Sequence, residues 1–165
     1  MDLARIFRHL LTPGWLVYRS FPRPILSRIE EAIRESEKSH DAELRFAIEA
    51  GLPAVALVKG ITPRQRAREV FGQLAVWDTE HNSGVLIYLQ LVDHNIEILA
   101  DRGISAKVEQ ATWEEICRRM ESAFRSGAFE AGTLQGIRDI TALLARHFPP
   151  HGAKPNELPD RPVVL

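Results

Sequence analysis

GVLIYLQLV, from Gly84 to Val92, is the stretch that decides the fold of this chain. It is almost continuously apolar and rich in residues that favour β-structure, as is typical of a strand covered on both faces. A short polar break, Asp93-His94-Asn95, follows it, and the apolar pattern resumes over NIEILA, from Asn95 to Ala100. So short a break predicts an antiparallel hairpin.

Upstream of this strand, ELRFAIEA (43–50) alternates apolar and polar residues. The alternation predicts a first, half-buried strand. Between the two strands, Thr62 followed by proline and by Gln65 has the pattern of a capping box and predicts the start of a helix. Residues 53–58 are too short to assign by periodicity; we favour a short buried helix, with a strand as the alternative. The first strand, the crossover helix and the central strand then form a parallel, right-handed unit.

Further helices are predicted on both sides of this unit. One runs from about Pro24 to Lys38, one begins at a second capping box, Thr112 to Glu115, and one ends at Pro149. The fold class is therefore α/β: a three-layer α/β/α sandwich whose small mixed sheet combines a parallel βαβ unit with an antiparallel hairpin strand.

Three regions follow along the chain. Residues 1–22 form an amphipathic N-terminal segment, residues 23–149 the domain, and residues 150–165 an extended, proline-rich tail without regular structure or a catalytic group. The apolar stripe of the first segment comprises Leu3, Ile6, Phe7, Leu10 and Leu11. With its neighbouring basic and aromatic residues, this stripe also suits peripheral membrane contact through residues 1–20, although so short a stripe favours packing against the folded protein. The packing partner would be the domain or a second chain, and membrane contact is the alternative.

Composition excludes several classes of protein. The chain has 165 residues, 21 of them basic and 22 acidic, so nothing in the charge indicates a nucleic-acid partner. A single cysteine excludes an internal disulfide framework and suits a reducing compartment. No apolar run approaches the ~20 residues of a membrane-spanning helix, and charged residues interrupt any secretory signal. We therefore expect a cytoplasmic protein, peripheral to a membrane if residues 1–20 contact one.

The common catalytic motifs are absent. The sequence contains neither GxGxxG nor GxxxxGK[ST], and it lacks GxSxG, HExxH and paired cysteines. These absences disfavour nucleotide-binding, hydrolase and zinc-protease functions. Cys117 falls on the apolar face of its helix and is expected to be a buried, inert thiol. The six histidines are scattered without metal-ligand spacing, so surface or capping roles are expected for each.

Acidic residues gather at one edge of the predicted sheet. The parallel strands begin at this edge and the antiparallel strand ends there. This arrangement brings Asp41, Glu43, the loop from Asp78 to Asn82, and Asp101 to one side. The candidate oxygen donors among them are Asp78, Glu80, Asn82 and Asp101, joined by Glu43. Carboxylate and amide oxygens suit Ca²⁺ or Mg²⁺. Spacing alone favours solvated loop residues that point in different directions, because the set matches no EF-hand loop.

The opposite edge is a second candidate. In open α/β sheets, ligands usually lie beyond the carboxyl ends of the parallel strands. In this chain that rule points to Glu49, Asp93 and His94. The sequence does not decide between the two edges.

The segment from Arg64 to Pro149 resembles the TPM domain family, and with the first strand and its preceding helix the similarity covers residues 23–149. The stretches that carry it are RAREVF (66–71), WDTEHNSGVLIY (77–88), DHNIEI (93–98), ADRGI (100–104) and FRSGAF (124–129). The resemblance implies an α/β/α sandwich, divalent-cation binding (calcium especially, magnesium as the alternative) and an adaptor role in the assembly or repair of membrane complexes. It also implies a weak phosphatase activity, attributed to a plant branch of the family.

Three functions are therefore in competition. The first is a non-catalytic, calcium-type binding module that acts as an adaptor with a protein partner. The second is a weak metal-dependent phosphatase, in which Arg102 is the candidate phosphate-binding residue beside the acidic edge. The third is an interaction scaffold without metal. Neither the partner nor the oligomeric state can be derived from the sequence.

Overall fold

The computed structural model describes residues 3–152 and 154–165, with side chains from residue 6 onward. The helices are α1 (Leu3–Leu11), α2 (Val17–Ser20), α3 (Arg23–Ser36), α4 (Ala54–Val58), α5 (Pro63–Gln73), α6 (Arg102–Ser105), α7 (Gln110–Arg125) and α8 (Phe129–His147). The strands are β1 (Glu43–Glu49), β2 (Gly84–Gln90), β3 (Asn95–Ala100) and β4 (Val163–Val164).

The sheet is mixed, with the strand order β3-β2-β1-β4. Strands β1 and β2 are parallel, from the pair Glu43 and Gly84 to the pair Glu49 and Gln90. Strand β3 returns antiparallel to β2. The predicted parallel unit and hairpin are confirmed.

Helices cover the two faces of the sheet. On one face the apolar side chains of β1 and β2 pack against α3, α7 and α8 in the larger core, in which Phe21 lies near Phe46 and Phe124. On the other face Leu86 and Tyr88 pack against α5 in a smaller core. The expected sandwich is therefore confirmed. No helix among the described residues combines the length and apolarity needed to cross a membrane.

Local sequence patterns predicted the start of α5 correctly and the start of α7 incorrectly. The capping box of α5 is present, since Thr62 Oγ1 accepts from the Gln65 N–H and the Gln65 side chain accepts from the Thr62 N–H. Residues 54–58 are helical, as favoured. The capping box predicted at Thr112 is wrong: α7 begins at Gln110, two residues earlier, without a side-chain cap.

Strand β1 is buried on both faces rather than half-buried, because each polar side chain on its second face has a covering partner. Residues 154–165, here called the C-terminal segment, provide part of this cover. Arg45 Nη1 donates to the backbone oxygens of Pro159 (2.5 Å) and Arg161 (2.7 Å). The polar half of the alternation therefore marks buried ion pairs and hydrogen bonds, not solvent.

The tail also contributes a strand, which the sequence analysis did not predict. Val163 and Val164 pair in parallel with Ala47 and Ile48 of β1, and the Leu165 N–H donates to the Ile48 oxygen. The expectation that the tail lacks regular structure is therefore wrong at these two residues. The prolines before them leave this short pairing intact.

Candidate functional sites at the two ends of the sheet

At the acidic edge, Asn82, Asp101 and Arg102 lie together. Arg102 Nε donates to Asn82 Oδ1 (2.9 Å), and the Arg102 N–H donates to Asp101 Oδ1 (2.7 Å). Gly103 permits this approach, because a Cβ there would lie 2.6 Å from the His81 oxygen. Asp78 and Glu80, in contrast, are exposed on the loop.

Glu43 is engaged elsewhere. Its carboxylate is fully buried and accepts from Lys154 Nζ (2.7 Å) and from the Leu158 N–H (3.1 Å). Both donors belong to the C-terminal segment. Glu43 therefore holds that segment against the sheet and does not join the acidic loop.

The donor set at this edge is incomplete for a calcium ion. Within residues 3–152 and 154–165, no three His, Cys, Asp or Glu side chains are placed to hold a metal ion. Ca²⁺ takes six to eight oxygen ligands. One observation nevertheless points to a ligand: Asp101 Oδ2 is buried and has no hydrogen-bond partner among the described residues. A buried carboxylate oxygen without a partner is costly, and a cation would offset that cost.

Helix α1 covers the opposite edge. The Leu52 N–H donates to His9 Nδ1 (2.9 Å), so Nε2 carries the proton and donates to Asp93 Oδ2 (3.2 Å). Gly51 permits this docking, because a Cβ there would lie 2.8 Å from the His9 oxygen. The His94 ring packs edge-on against Phe129. The structure thus places Asp93 and His94 in different contacts.

Glu49, also at this edge, belongs to a buried polar network. Arg66 Nη2 donates to Glu49 Oε1 (2.7 Å), and the Tyr88 hydroxyl donates to Glu49 Oε2 (2.5 Å). Burial and the Glu49 charge raise the pKa of Tyr88, while the hydrogen bond from Arg66 to Glu49 raises the pKa of Arg66. The network is therefore a buried ion pair, in which Arg66 balances the charge of Glu49, and it fixes α5 on the sheet.

A second polar cluster lies where α3 meets the C-terminal segment. Burial raises the pKa of Glu37 to about 8; the hydrogen bond from the Leu44 N–H opposes this, and the charges of Glu43 and Asp160 add to it. Burial and the Lys154 charge lower the pKa of His40 to about 4. At neutral pH the Glu37 carboxyl is therefore largely protonated and His40 is neutral.

A cavity that the sequence analysis missed opens beside the acidic edge. We call it the histidine cavity; its volume is about 370 Å³. Its lining residues are Asp41, His81, Ser83, Gly103, Lys107, His147, Phe148 and His151. Three of the scattered histidines thus share one cavity. Spacing along the chain gave no signal for it, because the loop before β2, the end of α8 and the tail meet only in the folded molecule.

The opposite end of the sheet carries an exposed apolar surface. It consists of α1, the turn and helix that follow, and α4, which contacts α1 through Ile6. Its exposed apolar residues are Phe7, Leu10, Leu11, Trp15, Tyr18, Val55 and Val58. Arg8 and Lys59 adjoin these residues along the chain, exposed and without an ion pair to any described residue. Arg19 is also exposed and lines a cavity with Glu130 at the start of α8. We call this surface the apolar–cationic end. The predicted stripe is exposed at Phe7, Leu10 and Leu11, whereas the Leu3 side chain and residues 1–2 lie outside the described residues.

Cys117 is buried on α7, as expected, and burial raises the pKa of its thiol to about 12. A thiol held in its protonated form is a poor nucleophile.

A small three-layer α/β/α domain with separate surfaces at the two ends of one mixed sheet is the class that these features define. The sequence matches the family model of the TPM domain over residues 24–143, and the chain belongs to this family. The structure is similar to the NMR structure of the BA42 protein from Bizionia argentinensis, with a TM-score of 0.74 and 29% identity over 85% of this chain and 92% of that one. It also shares its fold with the N-terminal domain of a protein from P. gingivalis, with a TM-score of 0.60 and 18% identity over 86% and 95% of the two chains. The comparison with curated proteins gave no match.

Proposed function

We propose that the protein is a non-catalytic adaptor domain that docks on an anionic membrane surface through the apolar–cationic end. The observation that carries this proposal is the combination of exposure and charge at that end. Leu11 is 76% exposed, Trp15 66% and Val58 77%. Large apolar side chains grouped in this way mark interaction surfaces.

Charge favours a membrane over a protein partner of mixed polarity. No Asp or Glu occurs in residues 3–29 or 50–68, which include the whole apolar–cationic end, whereas basic residues occur throughout both ranges. Interfacial helices have this composition: apolar and aromatic residues enter the headgroup region while arginine and lysine contact anionic lipid. Each basic residue near such a surface contributes about 1 kcal/mol.

The test is co-flotation with vesicles of phosphatidylcholine, with and without phosphatidylserine. We expect the full chain to float with the anionic vesicles and to remain in solution with the neutral ones. Trp15→Ser and the double variant Leu10→Ser/Leu11→Ser should lower the bound fraction severalfold. Trp77→Ser is the matched control, because Trp77 is similarly exposed (55%) but lies in the loop at the other edge.

Two outcomes would overturn the proposal. One is equal flotation of Trp15→Ser, Trp77→Ser and the unmodified protein. The other is no flotation, together with a concentration-dependent increase in mass by light scattering that Leu10→Ser/Leu11→Ser abolishes. The second result would assign the apolar–cationic end to a second copy of the chain.

A divalent cation at the acidic edge is the second candidate function, carried by the unpartnered Asp101 Oδ2. We expect chelator-stripped protein to release or absorb heat on titration with Ca²⁺ or Mg²⁺, and Asp101→Asn to remove most of that heat. Asp139→Asn, on the surface of α8, should leave it unchanged. Equal heats from Asp101→Asn and the unmodified protein would contradict this site.

A hydrolysis assay on the same protein distinguishes binding from catalysis. A metal-dependent phosphatase would hydrolyse p-nitrophenyl phosphate, lose this activity with chelator, and lose it again in Arg102→Gln. A binding module shows no turnover under any of these conditions. We expect no turnover, because the Arg102 guanidinium is held by Asn82.

A further inference from the structure

We propose that the histidine cavity binds a small oxyanion. This inference is independent of the membrane and cation proposals, because it concerns different side chains. The volume of the histidine cavity, about 370 Å³, lies within the range of small-molecule sites.

The lining is rich in hydrogen-bond donors. Lys107 Nζ lies 4.7 Å from the centre of the Phe148 ring, which places the ammonium group at the cavity wall. His81 and His147 form no hydrogen bond or ion pair with described residues through their rings. An imidazole offers an N–H donor in every protonation state, and an ammonium offers three.

Asp41 is the one carboxylate that the described residues contribute to the lining, and it is already satisfied. Asp41 Oδ2 accepts from the His151 N–H (3.1 Å) and from His151 Nδ1. Burial raises the pKa of Asp41, but these hydrogen bonds outweigh it and lower the pKa below its usual value. Asp41 is therefore a charged group whose role is to hold His151 and the start of the tail.

Ser83 supplies an independent indication of a ligand. Ser83 is 6% exposed and lines the cavity, and its Oγ has no hydrogen-bond partner in the part of the chain that the structure describes. Its backbone is fully used, because the N–H donates to Thr79 Oγ1 and the carbonyl accepts from the Glu43 N–H. A buried hydroxyl without a partner is destabilising, and an acceptor atom in the cavity would satisfy it.

These contacts select the chemistry of the ligand. Within the described residues the cavity offers no three side chains placed to hold a metal ion, and its one carboxylate is paired. An oxyanion instead accepts from the ammonium, the hydroxyl and the imidazoles. Phosphate that retains a proton can also donate to an imidazole nitrogen, which sulfate and acetate cannot do at neutral pH.

The test uses the imidazole C–H signals of the full chain in an NMR titration with inorganic phosphate at constant pH. We expect saturable shifts of His81, His147 and His151, while His9, His40 and His94, which lie outside the cavity, serve as internal controls. Parallel titrations with sulfate and acetate distinguish a phosphate from a carboxylate ligand, and we expect phosphate to bind more tightly.

Two variants make the assignment specific. Lys107→Met keeps the apolar stem over Phe148 and should weaken phosphate binding about tenfold; Lys59→Met, at the other end of the molecule, should not. Ser83→Ala should weaken binding without loss of stability, because its hydroxyl has no partner in the protein. Shifts that do not saturate, that include the three control histidines, or that are unchanged in Lys107→Met would overturn the proposal.

Discussion

Glu37 makes the stability of the protein depend on pH around neutrality. Its pKa is about 8 in the folded protein against an ordinary value of 4.5. Between pH 4.5 and about 8, the Glu37 carboxyl is ionised in the unfolded chain and protonated in the folded protein. The stability present below pH 4.5 is therefore lost as the pH rises through about 8.

This linkage gives a prediction for Glu37→Gln, which keeps the shape and removes the ionisation. The free energy of unfolding of the unmodified protein should fall by roughly 1–2 kcal/mol between about pH 6.5 and 8, and that of Glu37→Gln should stay nearly constant. Urea denaturation across this range measures it. Glu35→Gln is the control, since Glu35 is exposed on the same helix and pairs with Lys38. A slope equal in both variants and the unmodified protein would contradict the prediction.

His40 acts in the opposite direction, which is why the comparison starts at about pH 6.5. Its pKa is about 4, below the ordinary 6.5, so its contribution to stability is lost as the pH falls through that range. Its ring is satisfied in the neutral form, with Nδ1 donating to the Ala42 oxygen and Nε2 accepting from Ser36 Oγ.

Among the secondary-structure elements, β4 is the shortest strand, with two residues. It pairs with the edge of β1 and is the last element of the chain. Without β4, β1 would be the outermost strand on that side of the sheet and would present unpaired backbone groups along its length. Natural proteins cover such edges because they recruit strands from other molecules.

Removal of residues 162–165 should therefore have two effects. The free energy of unfolding should fall by about 1–3 kcal/mol, since the deletion removes buried Pro162 and the strand that pairs with β1. Self-association by size-exclusion chromatography should increase. Leu165→Ser is the control, because it keeps the backbone N–H that donates to Ile48. A truncated chain with unchanged stability and unchanged elution would show that β4 is dispensable.

Elements whose signal lies within a few residues were predictable. The apolar run of β2 and the capping box at Thr62 are local, and both are confirmed. Thr112 has the same local pattern, yet α7 begins earlier. Glu109 is the extended residue that precedes α7, so the helix begins at Gln110. Thr112 therefore lies inside the first turn and not at the helix terminus.

At the scale of the whole molecule, tertiary contacts decided what the pattern of the sequence did not. The acidic edge was predicted because strand direction alone brings Asn82 and Asp101 together. Glu43 was assigned to the same group, but a residue more than a hundred positions away, Lys154, binds it instead. The histidine cavity depends on the same long-range return of the tail, which no periodicity encodes.

Helix α1, anchored over the carboxyl edge by His9, has a consequence for the direction from which ligands arrive. The parallel strands separate the apolar–cationic end from the histidine cavity by seven residues, or roughly 23 Å. In the proposed membrane-bound state, with α1 in the headgroup layer and the strands upright on the bilayer, the sheet would hold the mouth of the cavity out in the aqueous phase. A lipid phosphate in the same bilayer could not span that height. The cavity would therefore sample only freely diffusing solutes, and membrane attachment would set its position without changing its occupancy.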